Sequence, residues 1–264
     1  MNRIVTGIIG DGLSSSRHAH TLNILDGFSL LSLASCSPEK GRELGRLHHI
    51  PFIDSDPEYL LERDEIDAVV IALPTEKHCS FIRYVTSFSK IAVSESPLSL
   101  NQEECEEILR LGEDGEYIFY CNPYLYLPVF DSLSSSYHTF SLEFSSISMM
   151  REETVQIALE VLIRAFGSIA DISTADDCGR YSLRLERGEG TMMCSYDSDL
   201  NGLSLTVDGL RIIPSVQYYD ALPDFYSFLY SRLENGGDIE RPLRTAVAAA
   251  RAREKILPLG NISI

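Results

Sequence analysis

The chain has 264 residues, of which 39 are acidic and 22 are basic, so its formal net charge is −17 at pH 7. This length predicts one large domain or two smaller ones. The acidic excess argues against a nucleic-acid-binding surface, which needs clustered Lys and Arg, and against docking on anionic membranes. We therefore expect neither a nucleic acid nor a membrane among the partners.

The first ten residues hold one basic residue and a short apolar run, which is too short for a secretory signal peptide. No stretch approaches the roughly 18 uncharged apolar residues of a membrane-spanning helix. The six cysteines are scattered, without a Cys-x-x-Cys pair or a histidine at zinc-ligand spacing, so we expect no metal site. Such thiols are typical of a reducing compartment, and the expected location is cytoplasmic.

Short apolar runs and amphipathic stretches alternate through the first 120 residues. Apolar runs separated by helical segments are typical of βαβ units, whose parallel sheet is covered on both faces. The predicted strands span residues 4–9, 28–34, 68–73, 91–93 and 117–121, and the predicted helices span 38–47, 58–63, 77–86 and 101–111. This pattern predicts an α/β domain with a doubly wound parallel sheet over residues 1–121.

The pattern changes after about residue 135. Strands are predicted at 137–149, 168–173, 181–186, 191–196, 203–207 and 211–214, and helices at 153–166, 224–234 and 241–257. Closely spaced strands joined by glycine-containing turns favour antiparallel hairpins. Residues 122–264 are therefore predicted to form an α+β domain with a largely antiparallel sheet, which would serve substrate binding and dimerisation.

A glycine-rich turn follows the first predicted strand, where residues 10–15 read G-D-G-L-S-S and match G-x-G-x-x-G/A with serine in the third small position. The first glycine permits a tight turn, the second lets a pyrophosphate approach the backbone, and the third allows close packing of helix on strand. Amide groups at the start of the next helix would bind the phosphates. The spacing predicts that Gly10, Gly12, Leu13 and Ser15 hold the pyrophosphate of a dinucleotide.

The choice between NAD and NADP depends on the end of the second strand. A carboxylate that binds the adenosine ribose is expected about 20 residues after the glycines, but Ser35 and its neighbours stand there. We assign Ser35 to the ribose, and its hydroxyl, with Lys40 or Arg42 nearby, slightly favours NADP. Asp11 places a negative charge beside the phosphate site, which Arg17 could offset.

Three segments together resemble one family, the Gfo/Idh/MocA oxidoreductases. The first is the glycine turn followed by His18; the second is 67–78 (D-A-V-V-I-A-L-P-T-E-K-H), which is similar to the family's D-A-V-x-I-A-T-P-x-x-x-H. The third, 93–99 (V-S-E-S-P-L-S), takes the place of V-x-x-E-K-P-L-A, and residues 225–255 resemble the family's closing helices. The resemblance implies an N-terminal Rossmann domain, an NAD(P) cofactor, a small-molecule substrate and a homodimer.

The resemblance also implies that Leu73, Pro74, His78 and Glu95 line the nicotinamide side of the cofactor. Each of the two ionisable residues has a structural alternative. His78 could be satisfied by backbone groups at a helix terminus, and Glu95 could be a simple loop carboxylate.

Two residues that usually serve catalysis in the family are replaced. The lysine of E-K-P is Ser96, and the histidine of the second domain's first long helix falls on Ile157, which cannot transfer a proton. Glu160 keeps a carboxylate in place of the family's aspartate and is the catalytic candidate, with a tyrosine as another source of a proton donor. The alternative for Glu160 is an ion pair with Arg164 on a solvated helix face.

Two functions follow from these residues. The first is an NAD(P)-dependent oxidoreductase of the Gfo/Idh/MocA type, acting on a small hydroxyl or carbonyl substrate that in this family is often sugar-derived. The alternative is a non-catalytic protein that binds a nucleotide or a partner and has lost the family's Lys and His. Cofactor binding followed by turnover assays discriminates between them.

Overall fold

A computed structural model of the chain describes residues 3–146, 149–174, 179–195 and 202–257. Its first half alternates strands and helices: β1 (Ile4–Ile9), α1 (Leu13–Ile24), β2 (Phe28–Ala34), α2 (Pro38–His48), β3 (Phe52–Asp54), α3 (Pro57–Leu61), β4 (Ala68–Ile71), α4 (His78–Ser87), β5 (Ile91–Glu95), α5 (Gln102–Glu113) and β6 (Ile118–Cys121). These strands form one parallel sheet in the order β3-β2-β1-β4-β5-β6. The predicted doubly wound sheet is confirmed.

The strand order determines where a ligand can bind. From β1 the chain proceeds outward to β2 and β3, then crosses back to β4 on the other side of β1. Loops that leave the carboxyl ends of β1 and β4 diverge at this switch point and open a crevice, which is the usual ligand site of such sheets. All residues of β4 are buried, because helices cover both faces of the sheet.

The second half contains β7 (His138–Ser145), α6 (Arg151–Phe166), β8 (Ile169–Thr174), β9 (Arg180–Leu185), β10 (Gly188–Ser195), β11 (Gly202–Val207), β12 (Leu210–Val216), α7 (Leu222–Asn235) and α8 (Arg241–Ile256). Its strands form a sheet in the order β12-β11-β7-β10-β9-β8. The β7–β10 pair is parallel and the other four pairs are antiparallel, as the largely antiparallel prediction required. Residues 147, 148 and 196, which the sequence places in strands, lie outside the described residues.

Helix α7 packs against the first sheet, although it lies late in the chain. Four of its buried side chains belong to the hydrophobic cluster built by β1, α1 and β2, namely Leu222, Phe225, Tyr226 and Leu229. The ring of Tyr226 meets the ring of Phe28 edge to face, with centroids 5.2 Å apart. The domain boundary after residue 121 stays a prediction. Helix α7 lies after that boundary in the chain but packs on the sheet that precedes it.

In the described part of the chain, no helix combines the length and apolar character needed to cross a membrane. The five cysteines within the described ranges are free thiols. Those ranges also contain no cluster of three or more His, Cys, Asp or Glu side chains arranged to hold a metal ion.

Candidate functional site

The glycine turn lies at the switch point of the first sheet, between β1 and α1. Gly10 has φ +133°, and a Cβ at this position would lie 2.1 Å from the carbonyl oxygen of Ala72, so only glycine fits there. Gly12 has extended backbone, and a Cβ on it would meet nothing within 4 Å among the described residues. The backbone of the turn is therefore accessible at Gly12, and a pyrophosphate can approach it closely.

A cavity of about 420 Å³ opens beside this turn. The carboxyl ends of β1, β2 and β4 and the loops that follow them form most of its wall, together with Pro57 and Phe81. Six of the nine predicted cofactor residues line it: Gly10, Gly12, Leu13, Ser35, Leu73 and Pro74. Residues that the sequence analysis assigned to one cofactor site, up to 64 positions apart in the chain, therefore line one cavity.

The start of α1 supplies donors to this cavity. Gly12 is the N-cap residue, and no described side chain caps the helix, so its first amide groups lack a side-chain acceptor. Ser15 is buried, and its Oγ has no hydrogen-bond partner among the described residues. Ser15 lies behind Gly10 and outside the described cavity lining, which agrees with the packing role expected for the third small position. These features fit the pyrophosphate of a dinucleotide.

Glu95 lies at the end of β5, where it is held by the glycine-turn helix. Its Oε1 lies 3.2 Å from Nε2 of His18, and its Oε2 accepts a hydrogen bond from the Ser14 hydroxyl. Burial alone would raise the pKa of Glu95, but His18 and Ser14 outweigh that effect, and the pKa lies below its ordinary value. Glu95 is therefore a charged group beneath α1, outside the described cavity lining, and more than a simple loop carboxylate.

His18 extends this connection to the last third of the chain. Its Nδ1 lies 2.6 Å from the hydroxyl of Tyr226 on α7, and both residues are buried. Sequence reasoning identified His18 only through the family resemblance and missed Tyr226, because no spacing rule relates residues 208 positions apart. The Tyr226–His18–Glu95 chain joins α7 to the edge of the first sheet.

His78 holds two loops together at the same edge. Its Nδ1 lies 2.9 Å from the carbonyl oxygen of Pro97, and its Nε2 lies 2.8 Å from that of Leu73. The ring is buried and outside the described cavity lining, so it positions Leu73 and does not face the cavity. The alternative of backbone-satisfied histidine describes this geometry, and contact between His78 and a cofactor stays a prediction.

Ser96 occupies the position where the resemblance places a lysine. Its hydroxyl lies 2.8 Å from the phenol of Tyr218, which itself donates to the carbonyl oxygen of Cys121. Burial raises the pKa of Tyr218 well above its ordinary value, and the carboxylate of Glu95 adds to the effect, so the phenol stays protonated. A buried neutral pair therefore stands where the family has a cation.

Glu160 lies inside α6 with no exposed surface. The hydroxyl of Tyr120 donates to its two oxygens at 2.8 and 2.9 Å, and Nδ2 of Asn122 donates to Oε2 at 2.7 Å. Burial raises the pKa of Glu160 to about 8, although the Asn122 and Tyr120 hydrogen bonds favour its charged form. Glu160 lies outside the described cavity lining, and its catalytic role stays a prediction.

The predicted ion pair between Glu160 and Arg164 on a solvated helix face does not form, so this prediction is wrong. Arg164 instead donates to Asp131 at 2.7 Å and to the carbonyl oxygen of Leu125 at 3.2 Å. Helical spacing placed Glu160 and Arg164 on one side of α6, but that side packs on the loop after β6, which supplies other partners to each.

Asp11 takes a role that the sequence did not predict. Its Oδ2 accepts hydrogen bonds from the Ser35 hydroxyl at 2.9 Å and from the Ser37 amide at 3.3 Å, and its Oδ1 lies 3.8 Å from Nζ of Lys40. Lys40 supplies the cation expected from Arg17, whose guanidinium lies over the ring of Tyr219 at 6.0 Å. The Asp11 side chain thus reaches from the glycine turn to the end of β2.

Residues 4–122 match the model of a family described as "Oxidoreductase family, NAD-binding Rossmann fold", GFO_IDH_MocA. The chain is 29% identical over 107 residues to YrbE, an uncharacterized oxidoreductase of Bacillus subtilis; the match covers 40% of this chain and 31% of that protein. It is also 26% identical over 236 residues to IolU of Bacillus subtilis, a scyllo-inositol 2-dehydrogenase (NADP(+)); this match covers 88% of the chain and 63% of that protein. The matched segment therefore spans about a third of one relative and under two thirds of the other.

The fold as a whole is shared with solved structures. The WlbA dehydrogenase of Thermus thermophilus, in complex with NAD and UDP-GlcNAcA, matches with a TM-score of 0.74 over 96% of this chain and 95% of that one. The two sequences are 18% identical, so this likeness establishes the arrangement of two sheets and their helices and nothing about chemistry.

Proposed function

Since residues 4–122 match the model of the Gfo/Idh/MocA oxidoreductase family, we propose that the protein binds NAD or NADP and oxidises or reduces a small hydroxyl or carbonyl substrate. The observation that carries the proposal is the cavity at the switch point, with an open glycine turn on one side and an uncapped helix terminus beside it. The nicotinamide would supply the hydride acceptor or donor.

The cavity wall suggests how each part of the cofactor is held. The amides of Leu13 and Ser14 bind the pyrophosphate, the end of β2 at Ser35 meets the adenosine ribose, and Leu73 and Pro74 support the nicotinamide side. His78 fixes the position of Leu73, and Glu95, held charged by His18, fixes Ser14 at the start of α1. IolU is a scyllo-inositol 2-dehydrogenase, which supports a polyhydroxylated or sugar-derived substrate. A homodimer in the cytoplasm completes the proposal.

Proton transfer is the step for which the chain provides the fewest candidate residues. Reduction of a carbonyl needs a proton donor within hydrogen-bond reach of the reacting oxygen. Glu160, with a raised pKa of about 8, would hold a proton at pH 7 and is the proposed donor if the second domain moves to expose it. In the described arrangement Tyr120 and Asn122 enclose it.

That enclosure favours a second candidate, a non-catalytic protein that binds a nucleotide. Ser96 pairs with Tyr218, Ile157 is fully buried, and Glu160 is sealed inside α6, so no described acid or base faces the cavity in the places that the family uses. Under this proposal the bound dinucleotide would stabilise the fold, or its binding would make the interaction with a partner depend on dinucleotide concentration.

Two measurements in sequence separate the candidates. Isothermal titration with NAD, NADH, NADP and NADPH tests the site, and at 100 times Kd a bound cofactor should stabilise the fold by about 2.7 kcal/mol in a thermal-shift assay. Absence of binding at millimolar concentrations contradicts both candidates. Binding with turnover on a polyol and sugar panel supports the oxidoreductase; binding without turnover supports the non-catalytic protein.

A further inference from the structure

We propose that Asp11 makes the site selective for NAD against NADP, by placing its own carboxylate where the 2′-phosphate of NADP would have to bind. The inference rests on the proposed cofactor function and identifies which of the two cofactors the site accepts. Asp11 lies on the described wall of the cavity, together with Ser35 at the end of β2.

The end of β2 is where a doubly wound sheet distinguishes the two cofactors, because the adenosine ribose lies against it. An acidic residue on β2 itself would accept a hydrogen bond from the 2′-hydroxyl of NAD and repel a 2′-phosphate. This chain has Ser35 at that place. The carboxylate arrives instead from the glycine turn, since Asp11 Oδ2 lies 2.9 Å from the Ser35 hydroxyl.

The groups bound to Asp11 are the groups that a phosphate would use. They are the Ser35 hydroxyl, the amide of Ser37 and, at 3.8 Å, the ammonium group of Lys40. Ser37 is the N-cap residue of α2, so its amide lies at the positive end of that helix. Hydroxyl, helix-terminal amide and lysine together form a typical phosphate-binding set, but here a carboxylate already lies among them.

The same geometry leaves Asp11 able to bind the ribose of NAD. Its Oδ2 is engaged by Ser35 and Ser37, whereas Oδ1 has only the Lys40 contact at 3.8 Å among the described residues. The carboxylate is partly exposed, with 22% of its side-chain surface accessible. Oδ1 can therefore accept a hydrogen bond from a 2′-hydroxyl, while a 2′-phosphate there would meet a like charge.

The sequence alone slightly favoured NADP, because Ser35 replaces the expected acid and Lys40 and Arg42 follow it. From the sequence, the Asp11 carboxylate was expected beside the pyrophosphate. Its side chain turns toward β2 instead, where it forms an ion pair with Lys40 and accepts hydrogen bonds from Ser35 and Ser37. The expectation from the residues is thereby reversed.

The test compares Kd values for NADH and NADPH, measured by titration of the full chain, before and after Asp11→Asn. The wild-type protein is expected to bind NADH at least tenfold more tightly than NADPH, and Asp11→Asn is expected to reduce that ratio to threefold or less, mainly by tightening NADPH. Asp11→Ser, which shortens the side chain and vacates the donors, should act in the same direction. Asp26→Asn makes the same charge change on an exposed residue at the opposite end of β2 and should leave the ratio unchanged.

A double substitution tests the role of Lys40. In the Asp11→Asn background, Lys40→Gln should weaken NADPH several-fold and leave NADH nearly unchanged, because the freed ammonium then serves the 2′-phosphate. A wild-type protein that binds NADPH as tightly as NADH, or a ratio that Asp11→Asn does not alter, overturns the inference while leaving the proposed function intact. Failure of the wild-type protein to bind either cofactor overturns the proposed function, and this inference with it.

Discussion

The hydroxyl of Ser96 lies 2.8 Å from the phenol of Tyr218, and this neutral pair fills the place where the family resemblance predicts a lysine. Ser96 is 8% exposed, and its amide also points to the phenol at 3.3 Å. The contact fastens the loop after β5 to the short 3₁₀ helix Tyr218–Ala221 of the second half. The replacement of lysine is therefore built into the packing between the two halves of the chain.

Restoring the family's lysine should fail for this reason. Ser96→Lys would insert an ammonium group against Tyr218 and Cys121 in a buried position, and we expect a loss of about 2–4 kcal/mol in the free energy of unfolding. Urea unfolding checks the stability, and turnover with the substrate panel checks activity. Ser96→Ala, which removes one hydrogen bond, should cost about 1 kcal/mol. A stable Ser96→Lys protein with new dehydrogenase activity would contradict this account.

Glu160 should make stability depend on pH. Its pKa is about 8 in the folded protein and near 4.5 when unfolded, so between these values the folded state binds more protons. The free energy of unfolding should then fall as pH rises from about 5 to about 8, by roughly 1.4 kcal/mol per unit at most. Urea unfolding at successive pH values measures the slope.

Glu160→Gln should abolish that slope. The neutral amide keeps an acceptor for Tyr120, and Asn122 can rotate so that its Oδ1, which lacks a partner among the described atoms, accepts from the new donor. Glu43→Gln, at an exposed position on α2, serves as the control and should leave the slope unchanged. Parallel pH profiles for wild type and Glu160→Gln would show that Glu160 is ionised throughout.

The two glycines of the turn should respond differently to substitution. Gly10→Ala places a methyl group 2.1 Å from the Ala72 carbonyl at a positive φ, so we expect a destabilised fold. Gly12→Val places its side chain in open space on extended backbone, so the melting temperature should change little while dinucleotide binding is lost. Thermal unfolding and cofactor titration of both proteins check the pair. Retained binding by Gly12→Val would place the phosphates elsewhere.

Residues 1–122 should not form a stable domain alone. Without α7, the cluster around Phe28 loses Leu222, Phe225 and Tyr226, and His18 loses its phenol partner. Removing several buried side chains of this size costs more than the typical stability of a small domain. We expect this fragment to lack a cooperative thermal transition, which circular dichroism will show. A transition like that of the full chain would mean that α7 adds only surface.

The strands were predictable where burial on both faces of the sheet requires apolar residues along the whole strand. Both faces of the first sheet are covered, so β1 and β2 appear as short runs rich in apolar residues and β4 as a wholly apolar run. β3 was missed because it has three residues, none of them buried, and exists through its pairing with β2. Its position depends on the sheet and not on its own composition.

The site was predictable where a local motif sets the geometry. The glycine turn and the carboxyl ends of β2 and β4 were identified from spacing and resemblance, and they do line one cavity. The partners of ionisable groups were not, because they come from distant segments: Tyr120 and Asn122 enclose Glu160, and Asp11 turns to Ser35. Helical or strand periodicity indicates a face, whereas burial of that face is decided by tertiary packing.

The place of β7 in the second sheet has a consequence for synthesis on the ribosome. β7 is the first strand of that sheet to be made, yet its neighbours β10 and β11 follow only after about fifty further residues. At roughly 5–20 residues per second, the nascent strand keeps both edges unpaired for several seconds. Thr139, Ser141 and Glu143 alternate with its apolar side chains, and this polar face limits association between nascent chains during that interval.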